Sequence, residues 1–313
     1  MSVIHVLAPG LFTTVQDLGR PGFGPIGVSP SGAADPISLR LGNRLVGNAD
    51  GAAALEMTLL GGTFLFPEGA IAALAGSDFG AVLDRQPVAI CTSQKISAGQ
   101  ILRLGSTRSG ARCYLCVGGG IEVKPFLGSA STHILSGLGG NDGRALRKGE
   151  VLNIGSAAGV FRERKIHPRL LKHLSPRKTL RVTPGPQSDW FPESSRQLFY
   201  TNPYRVTEDS NRMGLRLAGA VIPPHSQGQM ITEGVSLGAI QIPDGGQPII
   251  LFVEQQTTGG YPKIANIISP DLASIGQLRP RDEIRFKRVD FETALTLLKE
   301  QEQILASEEL ILK

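Results

Sequence analysis

Short β-like segments bounded by glycine, proline or aspartate recur along the whole chain, and they constrain its fold more than any other feature. These segments do not alternate with helical patterns, as they would in a Rossmann-type sheet. The pattern therefore predicts a mainly β fold built from barrels or sandwiches. The segments are Val3–Leu7, Thr63–Phe66, Ile101–Leu104, Cys113–Val117, Val151–Ile154, Leu180–Thr183, Gly238–Ile242, Ile249–Val253 and Ile284–Phe286.

Helical patterns are few. The clearest begins at Asp35, a good N-cap residue, with Pro36 at the first helical position and Gly47 as the stop signal. A second, short helix is expected from Ser269, and a third after Asp290, where apolar residues form one stripe. The 39 glycines and 21 prolines agree with a chain of many turns and short strands.

A change in composition between residues 155 and 180 indicates a domain boundary. There the glycine-rich strand patterns give way to a basic, proline-broken stretch, with eight Lys or Arg residues against Glu163 alone over residues 162–181. We expect a solvated connector and not a nucleic-acid surface, because Phe161 is the one aromatic residue beside it. The predicted domains are residues 1–165 and 166–313, the second ending in a helix.

The bulk composition favours a cytoplasmic protein. Hydrophobic residues make up 41% of the chain and charged residues 19%, as in globular proteins. The amino-terminal residues lack a signal-peptide pattern, and no apolar stretch is long enough to span a bilayer. Three cysteines fit a reducing compartment better than a disulfide scaffold. We therefore expect neither a membrane nor a nucleic acid as partner.

Two short motifs that suggest chemistry have better structural explanations. Gly234–Gly238 matches the nucleophile-elbow pattern around Ser236, but a strand and not a helix is expected next, and the last histidine, His225, lies upstream. Cys113 and Cys116 have metal-site spacing, but residues three apart on a strand face opposite sides. Both cysteines are therefore predicted to be buried and structural, and no metal site is predicted.

Two glycine clusters, Gly118–Gly120 and Gly137–Gly140, resemble phosphate-binding loops only superficially. Neither completes a dinucleotide-binding or P-loop pattern, so turns that need positive φ are the better interpretation. If ATP is used, its main site is expected to include residues from other chains.

Three polar, glycine-rich segments remain as candidates for a binding site. They are 13–20 together with 31–35, then 210–214, and finally 255–263, which follows a fully apolar strand. Such loops are either tight turns or binding surfaces, and each offers Gln, Asn or Arg donors. Together they favour a site for a small ligand that carries an amide or a carboxylate.

These same segments carry a resemblance to a known family. The run 9–23 (PGLFTTVQDLGRPGF), the run 31–36 (SGAADP), the run 210–214 (SNRMG) and the run 256–265 (QTTGGYPKIA) resemble ordered motifs in the family of the C subunit of bacterial 5-oxoprolinase. That family is also called KipI antagonist, allophanate hydrolase subunit 2 or biotin-dependent carboxyltransferase C-terminal domain. The chain departs from its usual pattern at Ala34, commonly methionine, and at Glu254, commonly aspartate.

The resemblance implies a fold, partners and an activity. It implies two cyclophilin-like β-barrel domains with a few short helices and a site in the cleft between them. It implies a cytoplasmic complex with an A subunit and a KipI-like B subunit, which hydrolyses 5-oxo-L-proline to L-glutamate with cleavage of ATP. ATP is the expected cosubstrate, bound mainly by or with the partner subunits.

The resemblance and the polar segments together give a set of candidate site residues. We predict acid, base or charge-stabilising roles for Asp17, Asp35, Glu56 and Lys263. We predict substrate binding by Gln16, Arg20, Asn211, Arg212, Gln256, Thr257, Thr258 and Tyr261. For each residue the alternative is a hydrogen bond that only stabilises a loop.

Two other functions stay open at this point. One is a carboxyltransferase for urea-like substrates, since fused urea amidolyases carry a similar domain. The other is a non-enzymatic regulator that sequesters a KipI-like kinase inhibitor.

Overall fold

The computed structural model describes residues 2–157, 161–223 and 230–312. The chain divides into two compact units. The first unit comprises Met1–Arg20, Ser31–Leu174 and Ala306–Lys313, and the second comprises Pro21–Pro30 and Ser175–Leu305. The linear prediction was 1–165 and 166–313. In the structure, residues 21–30 group with the second unit, and residues 166–174 and 306–313 group with the first.

The first unit contains two antiparallel sheets, with strand orders β11-β12-β1-β4-β9-β6-β7 and β2-β3-β10-β5-β8. Its strands are β1 (Ser2–Ala8), β2 (Phe12–Gln16), β3 (Ala54–Thr58), β4 (Thr63–Phe66), β5 (Ala70–Gly76), β6 (Val82–Leu83), β7 (Gln86–Pro87), β8 (Ser93–Ile96), β9 (Gln100–Arg103), β10 (Arg112–Val117), β11 (Ile121–Glu122), β12 (Val151–Ile154) and β13 (Lys165–Ile166). Its helices are α1 (Pro36–Val46) and α2 (Pro168–Leu174). Apolar side chains from both sheets, such as Phe64, Leu102, Leu74 and Leu115, form one buried core.

The second unit contains a closed barrel with strand order β14-β21-β18-β19-β16-β15-β22. Its strands are β14 (Thr179–Pro184), β15 (Tyr204–Val206), β16 (Gly214–Gly219), β17 (Glu233–Gly234), β18 (Ala239–Gln241), β19 (Ile249–Leu251), β20 (Thr258–Gly259), β21 (Lys263–Ile267) and β22 (Glu283–Arg288). Its helices are α3 (Glu193–Thr201), α4 (Leu272–Ile275) and α5 (Phe291–Ala306). The short strands β17 and β20 pair with each other outside the barrel. Strand β23 (Ile311–Leu312) belongs to the first unit, where it pairs with β13.

The mainly β architecture with a few short helices is confirmed, and so are the predicted helix signals. Asp35 caps α1 by accepting a hydrogen bond from the Ser38 amide at 3.0 Å, and Gly47 ends the helix with φ of 81°. Asp290 accepts a 2.7 Å bond from the Thr293 amide at the start of α5. None of the helices in the described part of the chain is both long and apolar enough to cross a membrane.

Helix α1 packs on the outer face of the sheet that contains β10, and the two cysteines of β10 show how. Cys113 belongs to the core between the sheets, whereas the Cys116 thiol lies on the other face, 3.8 Å from the Leu39 carbonyl oxygen of α1. Burial raises the pKa of both thiols well above its ordinary value. The prediction of two buried cysteines on opposite faces is therefore confirmed.

The close approach of α1 to β10 depends on Gly42. A Cβ atom at this position would lie 2.6 Å from the Cys116 sulfur. Alanine normally stabilises a helix interior relative to glycine by about 1 kcal/mol, but forcing a methyl group into a packed core costs roughly 1–3 kcal/mol. Steric exclusion should therefore outweigh helix propensity here.

We predict that Gly42→Ala lowers the free energy of unfolding by about 1 kcal/mol, the steric cost less the gain in helix propensity, measured by urea denaturation. In a Cys116→Ala background the same change should be close to neutral, because the sulfur that blocks the methyl group is gone. A neutral or stabilising Gly42→Ala in the wild-type background would contradict this packing.

Candidate functional site

The predicted site residues divide between the two units. Gln16, Asp17, Arg20, Asp35 and Glu56 lie in the first unit, and the other seven lie in the second.

Asp17 is the hub of a hydrogen-bonded network in the first unit. Its carboxylate accepts bonds from the Ser129 hydroxyl at 2.6 Å, the Ala130 amide at 2.6 Å, the Gly19 amide at 2.7 Å and the Ser131 hydroxyl. The residue is only 9% exposed. A carboxylate with this many donors fixes the segment 129–131 against the end of β2.

Arg20 and Gln16 bind the same stretch of chain from β2 and the turn after it. Arg20 is buried; its Nε donates to the Phe126 carbonyl at 3.2 Å and a terminal nitrogen donates to the Ser131 carbonyl. Its guanidinium also lies 5.5 Å from the centre of the Phe126 ring. The Gln16 amide donates to the Thr132 carbonyl at 3.1 Å. The contacts of both side chains therefore stabilise a loop.

Glu56 and Asp35 hold the start of α1 against the sheet. The Glu56 carboxylate accepts from the Tyr114 hydroxyl at 2.6 Å and the Ala34 amide at 2.8 Å, and lies 3.5 Å from the Arg112 Nε. The Tyr114 hydroxyl in turn accepts from the Asp35 amide at 2.8 Å, and burial raises its pKa well above its usual value. These contacts fix backbone positions; catalytic roles for Asp17, Asp35 and Glu56 stay predictions.

We predict that Asp17→Asn lowers the free energy of unfolding by about 3 kcal/mol, because an amide offers one acceptor oxygen where the carboxylate offers two. Urea denaturation of the full chain measures the change. Asp142→Asn, at an exposed position with φ of 57° that asparagine tolerates, is the matched control and should change stability little. Equal stability of Asp17→Asn and wild type would contradict the loop-fixing role.

The glycine clusters considered as phosphate loops are filled by the chain itself. A Cβ atom at Gly119 would lie 2.0 Å from the Gly155 carbonyl oxygen, and one at Gly139 would lie 2.2 Å from that of Ser131. Both residues have positive φ, at 91° and 64°. They are turns that need glycine, as predicted.

The second unit contains an open cavity of about 700 Å³. Its volume lies within the range of roughly 300–1,000 Å³ that is typical of small-molecule sites. Thr257, Thr258 and Lys263, all predicted from the sequence, line it. The described residues that line it are Gly24, Pro25, Gly27, Pro186, Glu233, Gly234, Val235, Ser236, Thr257, Thr258, Lys263 and Asn266.

Lys263 is the buried charge of this cavity. It begins the barrel strand β21, its side chain is only 4% exposed, and its Nζ contacts the Glu233 carboxylate. Glu233 also accepts a 2.9 Å bond from the Gln187 amide, and the Gln187 oxygen accepts a 3.2 Å bond from the Lys263 backbone amide. The hydrogen bonds from Lys263 and Gln187 hold the pKa of Glu233 below its ordinary value. The three side chains form one charge-paired unit.

Four predicted binding residues are not among those that line the cavity. Arg212 forms a buried ion pair with Glu254, the position where the family commonly has aspartate. The Asn211 oxygen accepts a 2.8 Å bond from the Met213 amide, which closes a turn. The Gln256 amide lies 3.5 Å from the Gln241 oxygen, and Tyr261 is 45% exposed.

Two partners of Lys263 were missed by sequence reasoning. Glu233 and Gln187 lie in no motif, and Glu233 reaches the cavity because β17 pairs with β20, with Glu233 opposite Gly259. Ser236 lines the cavity, but the strand β18 follows it, so the nucleophile-elbow geometry is absent at this serine as predicted. Among the described residues, no group of three or more His, Cys, Asp or Glu is placed to hold a metal ion.

The relationship of the chain to known proteins follows from a match to a family model. The model described as carboxyltransferase domain, subdomain A and B, matches residues 26–288. This chain belongs to that carboxyltransferase domain family. The C subunit of 5-oxoprolinase from Escherichia coli (strain K12) is 37% identical over 301 residues, covering 96% of each chain. The resemblance stated from the sequence motifs is thereby confirmed.

Solved structures of larger proteins contain the same fold. The crystal structure of TTHA0988 matches with a TM-score of 0.82 and 35% identity over 92% of this chain. The urea amidolyase of Kluyveromyces lactis matches with a TM-score of 0.89 and 32% identity over 99% of this chain. This chain spans 55% of the first of those chains and 21% of the second. The carboxyltransferase domain therefore occurs within longer chains in both.

Proposed function

We propose that this chain is one subunit of an ATP-dependent 5-oxoprolinase that hydrolyses 5-oxo-L-proline to L-glutamate. The observation that carries the proposal is the 37% identity to the C subunit of a 5-oxoprolinase, which extends over 96% of both chains. The name of that relative describes one subunit, and we propose that the enzyme is completed by an A subunit and a KipI-like B subunit. The cavity around Lys263 supports the proposal, because its size and the ammonium in its wall suit a small carboxylate.

The chemistry explains why ATP is needed. A lactam carbonyl is a poor electrophile; transfer of the γ-phosphoryl group of ATP to its oxygen activates the carbon, and ADP departs. Water then adds to that carbon, and the adduct expels the ring nitrogen as the amine to leave an acyl phosphate. Hydrolysis of the acyl phosphate by a second water releases phosphate and gives the second carboxylate of glutamate. We propose that the partner subunits supply most of the ATP site.

This chain's own residues would bind and orient the substrate in that scheme. The Lys263 ammonium offers a cation for a carboxylate or a developing oxyanion, and the hydroxyls of Thr257 and Thr258 offer donors on the same cavity. A positioned cation of this kind contributes more inside a cavity than in water, because the local dielectric constant is lower.

Reconstitution with the A and B partners tests the proposal. We expect 5-oxoproline-dependent release of ADP and glutamate that requires this chain. Lys263→Met should lower kcat/KM by about 100-fold, which corresponds to the loss of one charge-assisted contact in the transition state. Lys299→Met, on the exposed face of α5, is the matched control and should leave the rate unchanged. Equal activity with and without this chain would refute the proposal.

A second candidate is a carboxyltransferase component for urea-like substrates. The family model and the structural match to a urea amidolyase favour it. Supplying a biotin carboxylase, a biotin carrier and bicarbonate should then give urea-dependent ATP hydrolysis with this chain. Under the 5-oxoprolinase proposal, urea should give no such stimulation.

A further inference from the structure

The Lys263–Glu233 pair is asymmetric in its access to water. The lysine side chain is 4% exposed, whereas the glutamate side chain that neutralises it is 45% exposed. The cation is therefore fixed in the wall of the cavity, and its counter-ion approaches from the open side. A buried ammonium without an anion beside it is costly, so this contact must be kept or replaced by an equivalent one.

Glu233 is held weakly enough to be replaced. Its backbone lies on the two-residue strand β17, and its carboxylate is held by Lys263 and Gln187. With nearly half of its side chain in solvent, the carboxylate regains water when it turns away. Because one carboxylate replaces another beside Lys263, the buried ammonium stays paired throughout, and an incoming anion competes with Glu233 on comparable terms.

The charges of the cavity limit what can enter. Among the described residues that line it, Lys263 and Glu233 are the charged ones, and their charges cancel. An anion that bound beside an unmoved Glu233 would leave two carboxylates facing one ammonium. A monoanion that displaces Glu233 restores neutrality at the lysine.

We propose that Glu233 occupies the place of a ligand carboxylate, and that a small monocarboxylate takes over the contact with Lys263 as Glu233 turns to solvent. Identification of that ligand as 5-oxo-L-proline rests on the function proposed above; the exchange of carboxylates does not. Pro25, Pro186 and Val235 give apolar surface for a small ring, and Ser236 and Asn266 give polar groups for an amide. Glu233 is thus a specificity-determining residue that competes with the substrate.

Calorimetric titration of the full chain tests the exchange, with 5-oxo-L-proline, acetate and uncharged 2-pyrrolidone as probes. Glu233→Gln removes the competing charge but keeps an acceptor for Gln187, so both carboxylates should bind about fivefold more tightly than to wild type. Glu233→Ala should have the same effect, whereas Lys263→Met should abolish binding of the carboxylates. The affinity for 2-pyrrolidone should not respond to Glu233→Gln.

Glu208→Gln is the matched control, because it removes the same charge from an exposed ion pair with Arg281 in the same unit, away from the cavity lining. It should leave carboxylate binding unchanged. Thermal unfolding of each variant distinguishes loss of a contact from loss of the fold.

The outcomes separate this inference from the proposed function. Tighter carboxylate binding by Glu233→Gln without turnover of 5-oxoproline in the reconstituted complex would refute the function and support the exchange. Turnover with equal or weaker carboxylate binding by both Glu233 variants would refute the exchange and leave the function standing. Failure of wild type and both variants to bind either carboxylate would also overturn the exchange.

Discussion

A lysine ammonium that is almost completely withdrawn from water requires an anion in contact with it, and this requirement organises the cavity of the second unit. The barrel strand β21 fixes Lys263, the pairing of β17 with β20 brings Glu233 to it, and Gln187 joins the two. The chain thus satisfies a buried cation with a carboxylate that is itself half in solvent. That arrangement stabilises the protein without a ligand and leaves the cation available to one.

The first unit uses the same residue types in a different way. Asp17, Arg20 and Glu56 are buried, and their contacts are with neighbouring loops and, for Glu56, also with side chains of β10. A carboxylate that accepts several short bonds holds the groups that donate them, because moving it would leave those donors unsatisfied. These residues differ from Lys263 and Glu233 in that they do not line the cavity of the second unit, and not in residue type.

Local patterns in the sequence predicted much of this structure. The alternation of short strands and turns indicated the mainly β class, the cap residues indicated α1 and α5, and the spacing of Cys113 and Cys116 placed them on opposite faces. Thr257, Thr258 and Lys263 were found because they lie together in one motif after a buried strand.

Long-range pairing could not be predicted in the same way. The segment Pro21–Pro30 belongs with the second unit, although more than 140 residues separate it from Ser175. Glu233 meets Lys263 through a two-residue ladder that has no periodic signal, since two residues do not define an alternation. Arg212 and Asn211 carried the right chemistry, but an ion pair and a turn occupy them, which only the tertiary contacts reveal.

A crystal structure of the full chain with 5-oxo-L-proline tests the account most directly. The ligand carboxylate should lie about 2.7–2.9 Å from the Lys263 Nζ, the usual length of a charge-assisted hydrogen bond, with the Glu233 side chain turned away. A ligand bound elsewhere while Glu233 still contacts Lys263 would contradict it.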